Sequence, residues 1–122
     1  MDNDNTLLVS GKIVFEENTS SFSEGTAHIK LLDIGRQDAP AEVISKQIVK
    51  NIRYDPKQNS QIQFSLRGSL IQSQFTTYTV SVLIDLDGDG EISLGDYITM
   101  ENYEVLKSNY PEKITVTVRK VV

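Results

Sequence analysis

The 122-residue chain contains no cysteine. Disulfides, zinc–thiolate sites and thiol catalysis are therefore excluded within it, and its redox compartment is left open. Histidine occurs once, at His28, and no nearby Ser or Asp suggests a catalytic triad around it. No stretch of about 18 apolar residues is present, so no transmembrane helix is expected. The twelve Lys and Arg residues are scattered, and the isoelectric point is near 4.8. Nothing here would track a phosphate backbone or form a polybasic membrane patch. The opening Met1-Asp-Asn-Asp-Asn has neither a basic region nor an apolar run, and no signal peptide is expected from it.

What the chain has in excess is acid, and it is concentrated. Asp85-Leu-Asp-Gly-Asp-Gly-Glu-Ile-Ser-Leu-Gly-Asp96 holds five of the seventeen acids and no base. Removing those five leaves twelve acids against twelve bases, so the formal charge of −5 resides in this stretch. Like charges repel, and a bound cation is the simplest thing that offsets the repulsion. The spacing agrees. An EF-hand-type loop takes oxygen ligands at positions 1, 3, 5, 7, 9 and 12, with glycine at 6. Asp85, Asp87 and Asp89 fill positions 1, 3 and 5, and Gly90 is the turn glycine. Glu91 would offer its backbone carbonyl, Ser93 would reach the ion through a water, and Asp96 would close the sphere. Ile92 is expected to anchor the loop to the core. Hard oxygen donors favour calcium, with magnesium the competing ion. Position 12 is Asp rather than Glu, one methylene shorter, which weakens calcium. The bland alternative is an acidic hairpin with two Asp-Gly turns, Asp87-Gly88 and Asp89-Gly90. It leaves Asp85, Ser93 and Asp96 unexplained.

Elsewhere the periodicity is that of strands. Met1–Thr6 reads as a disordered tail, followed by one domain from Leu7 to Val122. Leu7, Val9, Gly11, Ile13 and Phe15 share one face of a first strand. Glu16–Gly25 is a polar loop containing Asn18-Thr-Ser, a glycosylation acceptor pattern common by chance. Thr26–Ile34 is a strand with Ala27, Ile29 and Leu31 facing in and His28 out. Glu42–Ile52 fits either a helical stripe (Ile44, Ile48, Ile52) or a strand, and its β-branched content favours the strand. Gln61–Arg67 places Ile62, Phe64 and Leu66 on one face. Thr76–Ile84 places Tyr78, Val80, Val82 and Ile84 together and feeds the acidic loop. Tyr97–Met100 reads as a short strand, and Lys113–Val121 as the last, with Ile114, Val116 and Val118 facing in. The expected fold is all-β: a single β-sandwich of about seven to eight antiparallel strands, immunoglobulin- or transthyretin-like.

The stretch Gly25–Gln47 carries a resemblance. A strand ending Leu31-Leu-Asp33, then Asp38-Ala-Pro-Ala41, then Ile44-Ser-Lys-Gln47 resembles the type III secretion lipoprotein (pilotin-like) family of small bacterial envelope proteins. Phe64-Ser-Leu66 and Tyr78-Thr-Val80-Ser-Val-Leu-Ile84 are similar to that family's later strands. The resemblance implies a β-sandwich domain, no catalytic residues and an extracytoplasmic, envelope location. The chain departs from the family in lacking a cysteine for a lipid anchor, and in carrying the acidic loop where many relatives have a shorter hairpin. Read by itself, Asp38-Ala-Pro40 redirects the chain, because Pro40 has no N–H and holds Ala39 extended.

Two functions are therefore expected, and neither is enzymatic. In the first, a β module binds one structural divalent cation through Asp85, Asp87, Asp89, Glu91, Ser93 and Asp96, and supports a protein-interaction or envelope accessory role. In the second, a metal-free pilotin- or chaperone-like protein binds a protein partner by strand addition at a free edge. Oligomeric state is not legible.

Overall fold

The computed structural model describes residues 6–16, 19–35, 39–58, 61–69, 76–99, 101, 103–107 and 111–122. Met1–Asn5 of the expected tail, Asn18, Arg36–Asp38, most of the connection before Thr76, and Met100 lie outside the described residues, whereas Thr6, expected in the tail, opens the first strand by pairing with Gly68. Eight strands form: β1 (Thr6–Phe15), β2 (Phe22–Asp33), β3 (Glu42–Tyr54), β4 (Ile62–Gly68), β5 (Tyr78–Asp85), β6 (Tyr97–Thr99), β7 (Tyr103–Val105) and β8 (Glu112–Lys120). Among the described residues there is no helix.

The sandwich expectation gives way to one continuous sheet. Its order is β3-β2-β5-β6-β8-β1-β4, with β7 paired to the other half of β5. The pairings are antiparallel except β1 with β8, which run parallel. Alternation gives each long strand other than β3 one apolar side. Because no second layer covers that side, the sheet curls until it covers itself. Val9, Ile13, Ala27, Ile29, Leu31, Leu66, Ile84, Val116 and Val118 are all fully buried in the interior. Each such aliphatic side chain larger than alanine contributes roughly 1.5–3 kcal/mol by leaving water.

The barrel is nearly closed. Where β3 meets β4 the backbone ladder is missing, and side chains bridge the gap. Ser45 Oγ donates to the Arg67 carbonyl at 2.6 Å, and the Ser65 N–H donates to Gln47 Oε1 at 2.8 Å. One end of the barrel is filled by Phe15, Phe22, Tyr54 and Tyr97, with ring centroids 4.4–6.0 Å apart. Such contacts add about 0.5–1.5 kcal/mol per pair beyond area burial.

Several local expectations shift by one or a few residues, each for a visible reason. A bulge between Leu7 and Val9 sets two β1 residues against one on β4, so Leu8 rather than Leu7 is buried. The ambiguous segment is a strand, but its stripe is not Ile44-Ile48-Ile52. Ser45, Gln47 and Val49 point in, Ile48 points out, and a left-handed Asn51 (φ 60°) returns Ile52 to the interior. The second strand begins at Phe22, inside the expected loop, because Phe22 packs in the aromatic end. β7 forms where no element was assigned, held by pairing with β5.

β1 passes between β4 and β8 at Gly11, where a Cβ would overlap the Ile114 carbonyl. Gly11→Ala should therefore lower unfolding free energy by about 1–3 kcal/mol or more, because backbone and not a flexible side chain must move. Urea denaturation measures this. Gln47→Leu should cost about 1 kcal/mol through the unmet Ser65 N–H. In hydrogen exchange it should speed the Ser65 amide selectively over amides of β5.

Candidate functional site

β5 ends in Asp85, so the first loop acid is still part of the sheet and is held in place by it. Only 2% of Asp85 is exposed. Its two oxygens receive main-chain donors from the loop: Gly88 N–H to Oδ1 at 3.0 Å and Gly90 N–H to Oδ2 at 2.7 Å. That wraps the loop around one carboxylate. Gly88 and Gly90 take φ values of 80° and 74°, which glycine reaches without a Cβ clash. Gly90 is thus the expected turn residue.

Asp96 closes the loop from the other side and is equally buried, at 1%. The Leu86 N–H donates to its Oδ1 at 2.9 Å, and the Ser93 N–H donates to Oδ2 at 3.1 Å. Asp87 and Asp89 are exposed and form short turns: the Asp89 N–H lies 3.4 Å from Asp87 Oδ1, and the Glu91 N–H donates to Asp89 Oδ1 at 2.9 Å. One carboxylate oxygen from each of Asp85, Asp87, Asp89 and Asp96 lies within 4.8 Å of the others. Ten residues lie between the first and the last of these in sequence.

Ser93 sits between two of them. Its Oγ is 2.7 Å from Asp87 Oδ2 and 3.0 Å from Asp96 Oδ2. A hydroxyl has one proton to donate, so one of these two oxygen pairs is always without a hydrogen between them. The electrostatics of the exposed pair diverge. Asp87 is pulled down to about 2, chiefly by the Ser93 hydroxyl that donates to it. Asp89 moves up. The Glu91 N–H favours its charge, but desolvation and the Asp87 and Asp85 carboxylates together outweigh that donor.

The Glu91 side chain is exposed and lies outside the carboxylate group, so its expected contribution is confined to the backbone carbonyl. Ile92 does not anchor the loop: it is 62% exposed, and Leu94 is 78% exposed. Leu86 takes that part instead, half-buried against the core. Leu86 follows a strand ending in a buried row, which is the signal that would have found it. The loop exit is clipped by main-chain bonds to the end of β8, Gly95 N–H to Val121 O at 3.0 Å and Val121 N–H to Asp96 O at 2.8 Å. His28, expected to be solvated and partnerless, lies with Nε2 4.0 Å from Asp85 Oδ2. The four grouped carboxylates are hard, acceptor-only groups when ionised, suited to a divalent cation of the calcium class.

Among known proteins, no family model and no curated sequence matches the chain. A solved structure does share its fold. It is an alternative pilotin from the type II secretion system of Vibrio cholerae, with a TM-score of 0.70 over 93% of this chain and 96% of that one. Identity is 23%, a likeness of fold. The resemblance to pilotins read from Gly25–Gln47 therefore meets a pilotin in three dimensions, one of type II and not type III secretion.

Proposed function

We propose that this chain is a non-enzymatic accessory module of the bacterial envelope whose loop Asp85–Asp96 holds one structural divalent cation, calcium by its donor set. The observation that carries the cation is the meeting of four carboxylates on one small sphere, two of them buried. Asp85, Asp87, Asp89 and Asp96 would supply carboxylate oxygens, Glu91 its backbone carbonyl and Ser93 a hydroxyl or a water-mediated contact. The ion relieves the Asp87–Asp89 repulsion and ties the end of β5 to the clip on β8. Asp96 already accepts from the Leu86 N–H at Oδ1 and from the Ser93 N–H at Oδ2, so an ion would share Oδ2 with a main-chain donor and bidentate ligation is not favoured. Affinity is then expected at the weak end, on the order of 10⁻⁵ to 10⁻³ M, suited to extracytoplasmic calcium. The envelope role rests on the pilotin fold neighbour and on the resemblance in the sequence.

A second reading is favoured by the sheet's open side. Among the described residues β3 shares a ladder with β2 and not with β4, which it meets across the join at Ser45 and Gln47. A metal-free protein would use that edge to receive a partner strand.

Thermal melting in calcium and in chelator separates the two. Binding at a hundredfold excess over Kd should stabilise by about 2.7 kcal/mol. The shift should vanish when Asp87→Asn and Asp89→Asn are combined. No shift at millimolar calcium sinks the first reading and leaves the second.

In chelator the two single variants should differ in their effect. Asp87 has a depressed pKa, so its ionisation stabilises the fold above its ordinary value of 3.8, and this is lost as pH falls through about 2. Asp89 has a raised pKa, so its ionisation opposes folding at neutral pH, and protonation relieves this as pH falls through that raised value. At pH 7, Asp87→Asn should lower the metal-free melting temperature, and Asp89→Asn should hold or raise it. In saturating calcium both should lower it, because a bound dication reverses the local field at Asp89.

A further inference from the structure

Among the described residues six large apolar side chains are exposed, and four of them stand on two surfaces, the outside of β3 and the acidic loop. Val43 and Ile48, 48% and 47% exposed, stand on the outside of β3, while Ile92 and Leu94 stand on the acidic loop. The register explains the first pair. Ile48 lies opposite His28, His28 opposite Leu83, and Leu83 opposite Ile98, so a largely apolar row crosses four strands on the outer face. In the next row Lys46 lies directly opposite Lys30. Like charges so placed destabilise a sheet, and among the described residues neither lysine has an ion-pair partner. Lysines on an edge strand also discourage stray pairing. That accounts for Lys46, but not for Lys30 on interior strand β2, nor for Val43 and Ile48 staying apolar beside it.

The acidic loop is the complement of this face. It exposes Asp87, Asp89 and Glu91 together with Ile92 and Leu94. It also begins beside the face, with Asp85 Oδ2 4.0 Å from His28 Nε2, next to Ile48 in the row. We propose that the outer face of β3-β2-β5 docks the acidic loop of a second copy of this chain, reciprocally, in a two-fold dimer. Two complementary patches side by side become self-complementary under a two-fold axis passing between them, so the assembly closes at two copies. Ile92 and Leu94 cover the Ile48 row, and the loop acids offset Lys30 and Lys46. The bound ion is not needed for this contact, and a loop without one carries more negative charge toward the lysines.

Sedimentation velocity in chelator at low salt tests the proposal independently of the cation. The wild-type chain should show a species of twice the monomer mass at concentrations of about 10–100 µM, with Kd rising at least about tenfold when salt is raised through the range that screens surface charge. Lys30→Glu with Lys46→Glu should be monomeric, because acids then face acids. Asp89→Lys with Glu91→Lys should be monomeric for the converse reason. An equimolar mixture of the two double variants should restore the dimer, since each face then meets a loop of opposite sign. Far-UV circular dichroism melts confirm that both variants fold. A monomeric wild type, a dimer indifferent to both reversals, or a mixture of folded variants that stays monomeric would each overturn the proposal.

Discussion

The long strands other than β3 each have one apolar side, and among the described residues nothing but the sheet itself is available to cover it. That constraint organises the rest. A single sheet whose inner face must leave water has to curl, and curling brings β3 and β4 together without the register for a shared ladder. Ser45 and Gln47 stand inward at that join, where an aliphatic residue would leave the β4 backbone groups unmet. These two polar side chains at the join are thus the consequence of closing the barrel. The parallel β1–β8 pair has a similar origin and demands Gly11, where the Ile114 backbone comes too close for any side chain.

The same closure builds the loop. Asp85 is rigid because it is the last residue of a central strand, and Asp96 is rigid because it opens onto β6 and is clipped to β8. Between two fixed carboxylates, ten residues must turn back on themselves. Their N–H groups find acceptors in those same carboxylates. The acids are therefore structural first. They organise the loop by accepting its main-chain donors, and in doing so they bring Asp87 and Asp89 close enough for their titrations to diverge. The pilotin neighbour shares the barrel at 23% identity. The charge on this loop follows from the sequence of this chain and not from the shared fold.

Much of the local structure was legible because it follows a period of two. Ala27, Ile29 and Leu31, then Tyr78, Val80, Val82 and Ile84, and also Val116 and Val118, are buried as alternation requires. Legibility failed where a bulge breaks the period. Leu8 for Leu7 is a one-residue slip, and in β3, correctly read as a strand, the inward face of Ser45, Gln47 and Val49 was not assigned because a register shift opposite Leu31 and Leu32 obscures its alternation. A slip of one exchanges the two faces of a strand, and nothing in the local composition announces it. Ile92 was misread for a different reason. An EF-hand packs that residue against a partner, but here the loop projects from a barrel and Leu86 meets the core instead.

The sequence by itself determined the long strands and the position of the acidic loop between two of them, because these depend on alternation and on spacing along the chain. Only the tertiary structure decided that eight strands share one curled sheet, that Lys30 faces Lys46, and that Asp85 and Asp96 are buried while Asp87 and Asp89 are not. Those outcomes depend on which strands become neighbours. That choice is made by the whole apolar surface seeking cover, and no segment of the chain contains it.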